Sequence, residues 1–145
     1  MIYIKIIITI IIIITALWGM DILFRKLYAF YCKHLLEKTY SALEAKNLKD
    51  AMKYAKRIIK TPLKAQGYEV LAEISQIKGD HMSAIDYFTS SLKHDSTFKL
   101  SLLGLSESYK EVGRLNDAIK MLDKAAELYP YDVMVLHCRN ELKQE

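Results

Sequence analysis

The sequence predicts an all-α protein: one N-terminal transmembrane helix followed by a solenoid of helical hairpins, with about three repeats and a capping helix. Three observations lead there. Ten isoleucines crowd between Ile2 and Ile14. The rest of the chain resembles itself at a spacing of 34 residues. Only five Gly and two Pro interrupt the 145 residues, too few for the many turns of an all-β fold.

The first element is expected over residues 1–24. With Lys5 snorkelling, the run Met1–Met20 offers about nineteen residues, or ~28 Å of helix, against a hydrocarbon core of about 30 Å. A single segment in lipid can satisfy its own backbone only as a helix. Ten isoleucines outweigh one lysine near the end of the span. A cleaved signal peptide is the rival, but only Lys5 is basic at its start and Leu17-Trp18-Gly19-Met20-Asp21 is a poor cleavage site. Trp18 reads as an interfacial anchor. Arg25, Lys26, Lys33 and Lys38 follow the span, so the positive-inside rule orients the remainder toward the cytoplasm or its organellar equivalent. The expected localisation is therefore a single-pass membrane protein.

No Gly or Pro lies between Met20 and Lys60, so the first helix should run into the first repeat with little interruption. The repeats are then read from the alignment of Ala65–Phe98 with Lys99–Asp132. Leu71 falls on Leu105, Gly79 on Gly113, Ala84 on Ala118, Ile85 on Ile119 and Phe88 on Leu122, each pair 34 apart. Apolar residues recur at three- and four-residue spacing within each half, which is the helical pattern. Gly79 and Gly113 suit a tight turn between helices. The small residues Ala72, Ala84 and Ser91, with Ser106, Ala118 and Ala125, let paired helices approach closely. Pro130 stops its helix.

An earlier copy over 32–64 is degenerate. Ala51, Met52, Tyr54 and Ile58 match Ala84, Ile85, Tyr87 and Ser91 at a spacing of 33. Lys46 stands where the turn Gly should be and Ile58 where a small residue should be, so looser helix pairing is expected there. The repeats are placed at 32–64, 65–98 and 99–132, within a domain 25–145. A capping helix over 133–143 presents Val133, Leu136 and Leu142 as its apolar residues.

The run Leu102-x-x-Leu105-Ser106-x-x-Tyr109-x-x-x-Gly113-x-x-x-x-Ala118-x-x-x-Leu122-x-x-Ala125, ending at Pro130, resembles the tetratricopeptide repeat (TPR), with Leu102 where that family usually has Trp. The resemblance covers about Cys32 to Glu145. It implies a protein- or peptide-binding adaptor whose first helices line a concave groove. The matching groove positions include Leu36, Tyr40, Glu69, Glu73, Leu100, Leu103 and Glu107. In TPR domains that hold chaperone C-terminal carboxylates, this groove carries a Lys/Asn/Arg set. Here those places hold Leu36, Tyr40, Val70, Leu100 and Gly104. The apolar floor with glutamates suits an amphipathic, basic-flanked helix instead. The function expected is thus a membrane-anchored scaffold that recruits or assembles a protein partner. The alternative is a transport receptor for basic amphipathic segments. A homo-oligomer is compatible with either.

Charge is distributed unevenly. Ile22–Lys64 holds eleven Lys/Arg against three Asp/Glu, and Ala65–Glu145 holds nine against thirteen. Lys49, Lys53, Lys56, Lys60 and Lys64 fall on one stripe along a helix, widened by Arg57. With Arg25 and Lys26, the residues Lys49, Lys53, Lys56 and Lys60 are candidate contacts to an anionic membrane surface. No aromatic residues interleave with the lysines, so nucleic acid is not an expected partner. His34, His81, His94 and His137 lack metal-ligand spacing. There is no phosphate-binding glycine loop or nucleophile elbow, so neither enzymatic activity nor a cofactor is expected. Cys32 and Cys138 read as free thiols.

Overall fold

The structure, a computed structural model, describes residues 2–143; of residues 2–9, 11 and 12 only the backbone is described. The described residues form seven helices joined by short turns. They are α1 (Ile2–Glu44), α2 (Leu48–Ile58), α3 (Lys64–Ile77), α4 (His81–His94), α5 (Lys99–Glu111), α6 (Leu115–Leu128) and α7 (Val133–Leu142). The chain divides into two units, Met1–His34 and Leu35–Glu145.

In the first unit, α1 runs unbroken, as the missing Gly and Pro led one to expect. Trp18, Phe24 and Phe30 are exposed, and Arg25 pairs with Asp21 one turn away at 2.8 Å. Among the described residues no helix is long and apolar enough to cross a membrane. This corrects the expected single-pass span and the membrane localisation drawn from it. The physical reason lies in the charges: Asp21, Arg25 and Lys26 close the apolar stretch that begins, for described side chains, at Ile10. That leaves ~16 Å of helix, about half the hydrocarbon thickness. Most of the isoleucine run behind the expectation lies outside the described side chains.

In the second unit each helix packs on its successor from α2 to α7, and α3 also meets α5. The core is a series of small clusters between neighbouring helices, as a solenoid requires. Ala42, Ala51, Ala55, Val70, Leu71 and Ile74 form the first. Ala72, Ala84, Ile85, Phe88 and Leu105 form the next. Leu102, Ala125 and Val135, then Ala118, Leu122 and Leu142, complete the stack. The small residues expected between paired helices are all buried. Ser91 does more than stay small: its hydroxyl donates to the Ala65 carbonyl at 2.8 Å and meets the Ser101 hydroxyl at 2.7 Å.

The turns repeat as closely as the helices. Gly79 N–H donates to Gln76 O and Asp80 N–H to Ser75 O; Gly113 and Arg114 do the same to Lys110 and Tyr109. This double closure needs a left-handed residue, and both glycines have φ near that region, +75° and +76°. Lys46 and Asn47 make the same two bonds to Leu43 and Ala42, with Lys46 at φ 56°. The degenerate turn is thus built on the glycine geometry without the glycine. The next helices start on Asn47 and Asp80, whose side chains accept from Asp50 N–H and Ser83 N–H.

The oversized residue of the first copy finds its room on the next helix, α3. Ile58, in place of a small residue, is wholly buried, and the space comes from Gly67, where an added Cβ would meet Ile58 Cγ2 at 3.0 Å and Ile59 N at 2.9 Å. Two other expectations shift. The lysine stripe is broken: Lys49, Lys53 and Lys56 lie on α2, Lys60 in the following turn and Lys64 at the start of α3. The cap helix buries Val135 and Leu142 and leaves Val133 exposed.

Candidate peptide-binding groove

The first helices of the hairpins, with α7, present their inner faces to a groove. One lobe, about 460 Å³, has an apolar floor of Leu100, Leu103, Phe88, Met134 and Leu142. Glu73, Glu107, Glu111 and Glu141 stand around it with Lys110. A second lobe, about 520 Å³, is bounded by Leu43, Glu44, Ile77 and His81 and shares Glu73, Gln76, Glu107 and Glu111 with the first. Five glutamates therefore face one lysine across both lobes.

Glu73, Glu107 and Glu141 are 34 residues apart and occupy equivalent positions on α3, α5 and α7. The solenoid turns a one-dimensional period into a ladder of carboxylates along one face. That ladder was readable in the sequence by extending the 34-residue register into the cap helix, since only Glu73 and Glu107 were singled out there. Gly104 opens the floor: an added Cβ would strike the ring of Phe88, which is 1% exposed.

The groove is stitched from beneath. Gln76 Nε2 donates to Ser108 Oγ at 3.0 Å, to the Gly104 carbonyl at 3.2 Å and to Glu107 Oε2 at 3.3 Å. These bonds hold α3 against α5 and fix the Glu107 carboxylate on the rim. At the far end Asp123 of α6 accepts from Arg139 at 2.6 Å and Lys143 at 3.0 Å, seating α7.

The expected groove residues do not all reach the open surface. Leu100 and Leu103 lie on the floor and Glu73 and Glu107 on the rim. Leu36 and Tyr40 are half-buried on the last turns of α1. Glu69 is 1% exposed, because the Tyr40 hydroxyl covers it and donates to its Oε2 at 3.0 Å. Its other oxygen, Oε1, is buried without a hydrogen-bond partner among the described residues. Burial first, and the nearby Glu73 carboxylate second, push Glu69 up to about 8, against the pull of the Tyr40 bond. Burial raises Glu73 as well. Burial and the carboxylate beneath it hold the Tyr40 hydroxyl above its ordinary range, so it stays a donor. The candidate surface lysines of α2, with Lys60, are exposed and line neither lobe. Among the described residues no group of His, Cys, Asp and Glu is placed to hold a metal ion.

No protein-family model matches the sequence, and no curated protein sequence matches it. Solved structures do match the fold. The first TPR of Spaghetti (RPAP3), bound to the HSP90 peptide SRMEEVD, superposes with a TM-score of 0.72 at 12% identity, covering 78% of this chain and 93% of that one. The TPR2B domain of yeast Sti1, in complex with a pHsp70 peptide, gives 0.69 at 16% identity over 78% and 96%. The Yersinia enterocolitica type III secretion chaperone SycD, in complex with a peptide of the translocator YopD, gives 0.66 at 17% over 77% and 92%. The chain has the TPR fold.

Proposed function

We propose that this chain is a protein-interaction adaptor whose groove takes a partner segment that is apolar on one side and basic along its edges. The observation that carries the reading is the glutamate ladder, Glu73, Glu107 and Glu141, around an apolar floor. An apolar floor binds by removing nonpolar surface from water. The surrounding carboxylates focus a negative potential that attracts cationic side chains and repels anionic ones. On this reading the repeats run over 32–64, 65–98 and 99–132, with the cap at 133–143.

The peptide complexes among the matching structures support a groove that holds a peptide segment. Their ligands are a different matter. The acidic peptide SRMEEVD would meet repulsion from the groove's glutamates. The positions where the resemblance asks for Lys, Asn and Arg carry Leu36, Tyr40, Val70, Leu100 and Gly104, and Val70 is in the core. A scaffold that assembles partners and a receptor for transported basic segments are two uses of the same groove.

The test is fluorescence anisotropy of the full chain with a labelled amphipathic peptide of leucines and lysines, and with its glutamate-for-lysine counterpart. The lysine peptide should bind with Kd on the order of micromolar and weaken as salt rises. The glutamate peptide should not bind. Equal binding of the two would dismiss the reading.

A further inference from the structure

We propose that α1 is a self-association element: its stretch Ile10–Tyr31 pairs, helix against helix, with the same stretch of a second copy of this chain. The stretch belongs to the first unit and shares no residue with the groove.

Its side chains sort onto two faces. Ile10, Ile13, Leu17, Met20, Phe24, Leu27 and Tyr31 follow one another at alternating spacings of three and four, the repeat that sets them along one seam of a helix. All seven are large, and six of them expose half or more of their surface. The two neighbouring frames lack this continuity: one meets Asp21 and Arg25, the other Ala16, Gly19 and Lys26. The exposed basic residues Arg25, Lys26 and Lys33 fall on the side away from the seam, as do the small residues Thr15, Gly19 and Ala29. Asp21 borders the seam, and Arg25 binds its carboxylate at 2.8 Å.

An identical helix is the occupant this face fits. A seam that repeats every 3.5 residues is matched along its whole length by a second helix of the same repeat. A second copy supplies one, and it carries its basic residues on the outside of the pair, where they stay in water. The side chains of two seams bury on the order of 1,200 Å² between them, the size at which a specific interface begins to hold. A continuous apolar face of this extent is rare on a chain that stays single. Each pair carries two grooves, one per copy.

The experiment is sedimentation equilibrium of the full chain, read as molar mass. The parent should weigh twice the 16.8 kDa of one chain. Leu17→Gln with Phe24→Gln, both on the seam, removes two buried apolar side chains per copy. It should weaken the pairing at least about a hundredfold and give the mass of one chain. Trp18→Gln with Ile22→Gln removes exposed apolar side chains off the seam and should leave the mass at two. A parent with the mass of one chain overturns the pairing. If that single chain floats with phosphatidylcholine–phosphatidylglycerol vesicles, the face belongs to a lipid surface instead. Equal loss of association in the two double variants marks unspecific apolar sticking and overturns the pairing as well.

Discussion

Gly104 shows how a single residue sets the depth of the groove. A Cβ there would come to 2.7 Å from Phe88 Cε1 and 2.8 Å from Cε2, and the ring packs in one cluster with Ala72, Ala84, Ile85 and Leu105. Gly104→Ala should cost about 1–3 kcal/mol through overpacking; an unchanged denaturation midpoint would refute the contact. The resemblance puts Gly104 at a groove position, but nothing in the sequence reports its contact with Phe88. It is one of five glycines, and its register partners are Val70 and Cys138, neither of them small-residue markers. Glu69 was equally deceptive. Helical spacing places it with Glu73 on the groove side, but the spacing carries no information about Tyr40, 29 residues earlier, closing over it.

Among the elements, the three turns inside the hairpins show what a repeat can tolerate. Their two closing hydrogen bonds are the same at Gly79, Gly113 and Lys46, so the closure, not the residue, is what the hairpin requires. A residue with a side chain pays a steric penalty in the left-handed region that Gly avoids. Lys46→Gly should therefore raise stability by about 0.5–1 kcal/mol, read as a higher urea midpoint at unchanged slope. Destabilisation would mean that the lysine side chain contributes a contact that outweighs the strain. The turn closures recur with the period, but the side-chain caps do not: Asn47 and Asp80 cap their helices and Arg114, in the equivalent place, does not. The register slips by one residue in the first copy. Ile58 looked too large for its place, and the matching cut-out at Gly67 lies on another helix.

For the molecule as a whole, folding is linked to pH through the same buried acid that Tyr40 covers. Glu69 titrates at about 8 in the folded chain, well above the ordinary carboxyl value of ~4.3. Between those values the folded state binds more protons than the unfolded state, so this contribution to stability is full below about pH 4 and is lost as pH rises toward 8. Asp117 and Asp123 move the other way, held low chiefly by their hydrogen bonds to basic side chains. Their contribution changes only at acid pH, outside that window. Thermal unfolding of the full chain should show Tm falling from pH 5 to pH 8, with a flatter profile for Glu69→Gln. Parallel profiles would show that Glu69 is not the group responsible.

The sequence by itself determined the plan of helical hairpins, the small residues at their contacts and the sites of the turns. Each of these depends on local spacing along one chain, and a 34-residue period repeats that spacing three times over. It also carried the glutamate ladder, because equivalent positions in a solenoid fall on one face. Tertiary structure alone decided what those positions became. It buried Glu69 under Tyr40, cleared room for Ile58 with Gly67, and laid Phe88 over Gly104. It brought the inner face of α7 into the groove, where only a cap was expected. Each of these is a meeting of residues from different helices, fixed by the angle and distance at which the helices pack, and no spacing along the chain records that. The apolar N-terminal run was the reverse case. Its composition is plain, but among the described residues the charges at Asp21, Arg25 and Lys26 leave too short a stretch for a membrane.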